Sequence, residues 1–186
     1  EQVSVPVAGY FAEIDATEDA FVDNANPTTP QGTQLPQYLY VGARSLQGDI
    51  CRTYLQFDVS EIPSSATVSL ALMHVTRFGG SPAPYFIDTW HELIDNWHEN
   101  TITWANAPTM FAQAASSRVR VDANTGECIW DVTSNVQGEV DGQLTEVLRG
   151  GNPPEGTPNN LAEFWSKEAP RPSSEKPYLQ VWYTTP

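Results

Sequence analysis

Apolar and polar side chains alternate along much of this chain, which is typical of β-strands whose two faces meet different surroundings. The alternation is clearest in residues 53–59, 67–72 and 178–183. Clusters rich in Gly, Pro and Asn separate such runs, at residues 24–27, 78–82, 150–154 and 156–158. Because these clusters end strands and helical periodicity is nearly absent, the pattern predicts an all-β, antiparallel two-sheet sandwich.

One stretch differs from this pattern. Between residues 88 and 108, Trp90, Trp97 and Trp104 fall seven residues apart, which is compatible with a short helix or a repeat. Asn96 and Asn100 are poor helix formers, so we expect loops with one short helical turn here.

Length and charge restrict the function. The chain has 186 residues, enough for one domain with a full core, and its 9 basic and 23 acidic residues give a net charge of −14. A nucleic acid or an anionic membrane surface would be repelled, and no apolar run approaches the roughly 18 residues of a membrane span. The chain begins Glu1-Gln2 without a signal-peptide pattern, so we expect a mature, processed and secreted protein.

No catalytic residue is predicted. The chain lacks the Gly-x-Ser-x-Gly pattern of serine hydrolases, and His74 lies within a strand pattern. His91 and His98 have acidic neighbours that could complete a metal site, but their seven-residue spacing lacks the i, i+4 geometry by which two imidazoles share one ion. We therefore expect a binding or structural protein and not an enzyme.

The aromatic residues offer a binding chemistry. Rings on the surface of a β-sandwich can stack on sugars, although packing in the core is the alternative for each of them. The candidates for stacking are Tyr38, Tyr40, Tyr85, Trp90 and Trp97.

Acidic residues crowd the first part of the chain. Asp15, Glu18, Asp19 and Asp23 could offer some of the six to eight oxygens that calcium needs. The alternative is a solvated strand end without an ion, and the pattern leaves both open.

Short motifs in a fixed order run through the chain from residue 13 to residue 184. They are Asp19-Ala20-Phe21-Val22-Asp23, Arg52-x-Tyr54-Leu55-x-Phe57-Asp58-Val59-Ser60, Thr103-Trp104-x-Asn106-x-Pro108, Trp130-Asp131-Val132-Thr133 and Ser166-Lys167-Glu168. In this order the chain resembles the DNRLRE or disaggregatase-related domains, which overlap with carbohydrate-binding modules described as alginate-binding. The resemblance implies a jelly roll without catalysis.

The chain departs from that family in two ways. Its cations are Lys167, Lys176 and seven arginines, which argues against an acidic polysaccharide as the ligand. Pro30-Gln31-Gly32 stands where the family usually has Asn-Tyr-Gly, so the resemblance implies no particular glycan.

The N-terminal segment leads to our main hypothesis. Residues 1–12 precede the jelly-roll domain of residues 13–186, and we predict that they are a donor strand that completes the sheet of a neighbouring copy. The side chains of that strand would be Val3, Val5, Val7, Tyr10 and Phe11. Head-to-tail repetition would build a filament or matrix at the cell surface. The alternatives are pairing within the same domain and, for function, a module that binds extracellular polysaccharide.

The two cysteines, Cys51 and Cys128, form either one disulfide or two buried thiols. Because an extracellular protein meets an oxidising medium, we expect the disulfide.

Overall fold

The computed structural model describes residues 9–44, 49–81, 84–112, 115–124, 126–140 and 142–186. In these residues the strands are β1 (Gly9–Asp23), β2 (Tyr38–Ala43), β3 (Ile50–Asp58), β4 (Thr67–Gly80), β5 (Tyr85–Glu92), β6 (Ser117–Val121), β7 (Glu127–Asp131), β8 (Gln143–Asn152), β9 (Leu161–Trp165) and β10 (Tyr178–Thr184). The helices are α1 (Gln31–Gln34) and α2 (Thr133–Glu139), with a 3-10 turn at Ser173–Glu175.

The described strand pairs are all antiparallel and form one ten-stranded network, in which two sets of pairings, named sheet A and sheet B, share the long strands β1 and β4. Sheet A has the order β1–β10–β4–β7. In sheet B, the neighbouring strands are β6, β5, β8 and β3, in that order. Strand β3 also pairs with β1 and with β2. Strand β9 lies between β2 and β4 and pairs with both. Since β1 and β4 each pass from sheet A into sheet B, the sheets enclose one core as a β-sandwich.

Alternation along the strands fills that core. In β3, Leu55 and Phe57 are fully buried, and in β4, Met73 and Val75 are fully buried as well. Trp130 of β7 lies in the same cluster, with its indole N–H donating to the carbonyl oxygen of Ile87 at 3.1 Å. The buried indole is therefore fully satisfied.

A second, smaller apolar cluster lies on the other face of sheet B. It contains Ala20, Val22, Tyr54, Trp97, Ile102 and Val147. Residues 93–112 cover this face without regular structure, and two hydrogen bonds fasten them to β3. The Tyr54 hydroxyl donates to the carbonyl oxygen of Pro108 at 2.8 Å, and the Gln56 amide donates to that of Asp95.

The all-β prediction is confirmed, and the three strands expected at residues 53–59, 67–72 and 178–183 correspond to β3, β4 and β10. The stretch 88–108 is only partly a loop, because β5 continues to Glu92. Helix α2 was not predicted, since its sequence Thr-Ser-Asn-Val-Gln-Gly-Glu has neither an apolar period nor a capping side chain.

Strand β1 bears on the donor-strand hypothesis. It runs without a break across the expected boundary between residues 12 and 13. Tyr10 pairs with Tyr183 and Phe11 with Trp182 of β10, so these two residues complete a sheet of their own domain. Val3, Val5 and Val7 lie outside the described residues.

The predicted disulfide is wrong, because both cysteines are free and buried. Cys51 lies on β3 opposite Asp23 and Gly42, whereas Cys128 lies on β7 opposite Val75. Each thiol packs among its own strand neighbours, and burial raises the pKa of both, that of Cys128 to about 12. The alternative of two buried thiols is the one that the structure contains.

Among the described helices, none has the length and apolarity required to cross a membrane.

Candidate functional site

Four aromatic rings lie together on the outer face of sheet B, and we name them the aromatic strip: Tyr38, Tyr40, Phe78 and Trp165. Tyr38 and Tyr40 belong to β2, Trp165 to β9 and Phe78 to the end of β4. The residues that alternate with them, such as Leu39 and Phe164, are buried in the core. Strand alternation therefore turns the rings of the strip outward.

The rings of the strip are in contact with one another. Phe78 stacks on Trp165 with ring centroids 3.9 Å apart and an interplanar angle of 20°. Tyr38 lies 5.6 Å from Phe78, 5.8 Å from Trp165 and 6.4 Å from Tyr40. Phe78 is 38% exposed, and the other three rings are half-buried. The strip is thus a continuous, solvent-facing apolar surface.

Charged side chains stand at both ends of the strip. Arg171 lies over the Trp165 ring at 4.4 Å, and Arg44 lies over the Tyr40 ring at 5.1 Å. Arg44 also pairs with Asp23 at 3.2 Å. Burial, and next the nearby Glu163 carboxylate, raise the pKa of Tyr40, so its hydroxyl stays protonated at neutral pH. The ends of the strip consequently offer hydrogen-bond donors and acceptors beside the apolar rings.

Two glycines allow β9 to fit between β2 and β4. Gly42 and Gly80 have φ angles of 109° and 104°, which are strained for residues with a side chain. A Cβ atom on Gly42 would lie 1.8 Å from the carbonyl oxygen of Asn160, and one on Gly80 would lie 2.2 Å from that of Leu161. The close approach that brings Trp165 beside Tyr38 and Phe78 depends on these positions.

The structure places the five predicted stacking residues in three different surroundings. Tyr38 and Tyr40 belong to the strip. Tyr85 is buried in the main core, where its hydroxyl donates to the carbonyl oxygen of Val41 at 2.9 Å. Trp97 is buried below residues 93–112, and its indole N–H donates to Thr145. The expectation that Tyr85 and Trp97 are exposed is therefore wrong.

Trp90 is half-buried and covered by charge. Arg149 lies over its ring at 5.2 Å, and Phe111 meets it edge to face. Arg149 and Arg52 both donate to the carboxylate of Glu155. Since Arg149 covers one face of Trp90 and the ring packs against the second apolar cluster, we assign Trp90 to the packing of the covering loop.

The four acids predicted to bind calcium do not converge. Asp15 is exposed. Glu18 accepts from the backbone N–H of Glu99, and Asp23, at the far end of β1, accepts from the backbone N–H of Ala25. Asp19 alone faces a different group of acids. Its carboxylate lies close to those of Glu99 and Glu168, with one oxygen of each within 4.8 Å of the others.

The two histidines that were considered as metal ligands, His91 and His98, lie apart. His91 faces Glu139 at 3.4 Å, whereas His98 faces Glu18 at 3.4 Å, so the two imidazoles do not share a site.

The Asp19 carboxyl has a pKa well above its ordinary value. Burial is the largest cause, and the negative charge of Glu168 is the next.

The aromatic strip gives this β-sandwich an exposed apolar face whose rings have hydrogen-bonding groups beside them. Residues 10–183 match the model of carbohydrate-binding module family 96, and because the match spans nearly all of the chain, this protein belongs to that family. The part of the resemblance that concerns a carbohydrate-binding module is therefore confirmed, while the DNRLRE name stays a prediction.

Comparison of structures adds no functional argument. The coat protein of Tobacco streak virus is similar with a TM-score of 0.35 and 9% identity, over 99% of this chain and 91% of that one. The decameric BFDV capsid protein has a TM-score of 0.35 and 9% identity, over 95% of this chain and 98% of that one. No functionally curated protein matches the chain.

Proposed function

We propose that this protein is an extracellular, non-catalytic module that binds a neutral polysaccharide on the aromatic strip. The observation that carries the proposal is the continuous surface of Tyr38, Tyr40, Phe78 and Trp165. The C–H face of a pyranose ring packs on such rings, and successive sugars of a chain can engage successive rings. Membership of a carbohydrate-binding module family supports the same function.

The charge distribution favours a neutral ligand. The net charge of −14 repels a polyanion at long range. The two arginines beside the strip are already engaged, Arg44 with Asp23 and Arg171 with the Trp165 ring and, at 3.9 Å, with Glu175. Because each arginine already faces a carboxylate of this chain, its attraction for a carboxylate sugar is reduced.

We further propose that the sandwich is a jelly-roll variant, with β1 and β4 as the strands that turn the corner between its sheets. Assembly into filaments stays a prediction. Because residues 9–15 pair with β10 of the same chain, a donor strand would have to come from residues 1–8. Deletion of residues 1–8 followed by size-exclusion chromatography and negative-stain microscopy tests it, since loss of filaments on deletion is the expected result of strand exchange.

The test of polysaccharide binding compares two exposed phenylalanines. In Phe78→Ala the strip loses its most exposed ring, whereas in Phe11→Ala an even more exposed ring, at 52%, is lost from sheet A outside the strip. Affinity gel electrophoresis and isothermal titration calorimetry would be run against soluble neutral glucans, xylans and mannans, with alginate and pectin as the acidic comparison. We expect Phe78→Ala to weaken binding about tenfold, corresponding to about 1.4 kcal/mol.

Phe11→Ala should bind as the unaltered protein does. Two outcomes contradict the proposal: equal losses in both variants, or binding that is confined to the acidic polymers. Far-UV and near-UV circular dichroism of both variants separates a lost contact from a lost fold.

A further inference from the structure

The strongest unexplained group of charges lies where three separate segments meet beside the end of β9. Asp19 comes from β1, Glu99 from the covering loop, and Glu168 from the turn after β9. One carboxylate oxygen of each lies within 4.8 Å of the others. We name these three residues the carboxylate cluster.

Hydrogen bonds lock the cluster in place. One carboxylate oxygen of Asp19 accepts from the backbone N–H of Lys167 at 2.7 Å, and the backbone N–H of Asp19 donates to Glu99 at 3.2 Å. These bonds join β1, the loop and the turn. The positions of the carboxylates therefore follow from backbone geometry and not from flexible side chains alone.

The charges of the cluster are not balanced. The Lys167 ammonium lies 2.8 Å from a Glu99 oxygen and also bonds Glu168, so one positive charge serves two carboxylates. Asp19 is 2% exposed, and its other carboxylate oxygen, Oδ1, is buried without a hydrogen-bond partner in the described part of the chain. An oxygen of this kind is costly to bury unless something binds it.

We propose that Asp19, Glu99 and Glu168 bind a calcium ion. Three carboxylates supply three to six of the six to eight oxygens that Ca²⁺ takes, and water can supply the rest. The cluster reaches solvent at Glu168, which is exposed and lines a pocket together with Asp15, Ala16, Lys167, Lys176 and Pro177. The ion displaces the Lys167 ammonium from the cluster and binds the unpartnered Asp19 oxygen.

Lys167 makes this site distinguishable from an ion-pair network. If the acids serve only to hold the lysine, removing its charge leaves the cluster with nothing to bind. If the acids form a calcium site, the ammonium competes with the ion, and Lys167→Gln removes the competitor while keeping the backbone N–H bond to Asp19. The two arrangements thus predict opposite results for one variant.

The experiment is calcium titration of the full chain after treatment with chelator, followed by isothermal titration calorimetry and by the melting temperature with and without CaCl2. We expect one ion per chain and a melting temperature that rises with calcium. Glu168→Gln and Asp19→Asn should weaken binding at least about tenfold, and Lys167→Gln should strengthen it about fivefold or more. Glu168 is exposed, so its variant folds even where the Asp19 variant does not.

Asp15→Asn is the matched control, since Asp15 lies on the same strand and the same pocket but outside the cluster. Its calcium affinity should equal that of the unaltered protein. Absence of binding up to about 1 mM calcium in both the unaltered protein and Lys167→Gln overturns the proposal, as does unchanged binding in Glu168→Gln. Neither outcome decides whether the aromatic strip binds a polysaccharide, which the glycan titrations of Phe78→Ala and Phe11→Ala test separately.

Discussion

Replacing Glu146 with glutamine should change how the stability of this protein depends on pH. Glu146 of β8 is fully buried. Thr89 of β5 and Asn135 of α2 each donate a hydrogen bond to one of its carboxylate oxygens, at 2.5 Å. Burial raises its pKa from 4.5 to about 7, although the two hydrogen bonds act in the opposite direction.

The free energy of unfolding falls with rising pH because Glu146 loses its proton at a lower pH in the unfolded chain than in the folded one. As pH rises above 4.5, Glu146 ionises in the unfolded chain but stays protonated in the folded one, so the free energy of unfolding falls until pH reaches about 7. The two values differ by 2.5, and one pKa unit corresponds to about 1.4 kcal/mol, so the fall is about 3 kcal/mol. A glutamine at this position would not titrate, and its amide could donate to the Thr89 hydroxyl while accepting from Asn135.

Urea unfolding followed by tryptophan fluorescence at pH 4.5 and pH 7.5 measures the effect. The Glu146→Gln variant should gain about 3 kcal/mol relative to the unaltered protein between these values. Glu61→Gln, at an exposed turn, is the control and should show no such gain. Burial lowers the pKa of His91, and because both proteins contain this histidine, the comparison between them is designed to report Glu146. Parallel pH profiles for the unaltered and Glu146→Gln proteins would refute the reasoning.

Two further predictions concern the charges and thiols of sheet B and the core. Glu155→Gln should cost about 2 kcal/mol at pH 7, because Arg52 and Arg149 both lose a half-buried partner. Burial opposes ionisation of Glu155, but its hydrogen bonds to the two arginines lower its pKa below the ordinary value. The stabilisation by Glu155 is therefore present above about pH 4.5 and is lost as the pH falls further. Denaturation of both proteins at pH 7 and at pH 3 measures this loss. A thiol reagent should react with neither cysteine in the folded protein and with two thiols per chain after unfolding without reductant. If no thiol reacts after unfolding, the two cysteines are not free.

The sequence predicted the strands better than it predicted the surfaces. Aromatic character identified Tyr38 and Tyr40 as stacking candidates but missed Trp165, and it missed Phe78 because residues 78–82 were interpreted as a turn cluster. In the structure β4 continues to Gly80, with a register shift between Arg77 and Gly79, and Phe78 joins the strip. Trp97 was predicted to be exposed, but it is buried. Its burial depends on residues 93–112 folding over sheet B, and the local pattern of apolar and polar residues does not report such long-range contacts.

The four acidic residues of β1 that were predicted to bind calcium also show how much depends on strand pairing. Asp15, Glu18, Asp19 and Asp23 are close in sequence, but strand alternation and the register shift between Ala16 and Glu18 turn them to different surroundings. Asp19 meets Glu99 and Glu168, which are 80 and 149 positions away in the chain. Composition indicated that acids were available for calcium, and only the pairing of β1 with its neighbours shows which of them meet.

Strand β9 connects the two proposed sites. Its inward residues Ala162 and Phe164 are buried in the core, its outward Trp165 completes the aromatic strip, and the next residues carry Lys167 and Glu168 to the carboxylate cluster. Ser166 connects this turn to the two residues before β2, since its backbone N–H donates to the carbonyl oxygen of Gln37 and its hydroxyl to that of Pro36. An ion bound at the cluster would hold the turn that follows Trp165 to β1 and to the covering loop. Calcium would then affect glycan binding by ordering one end of the strip, without touching the sugar.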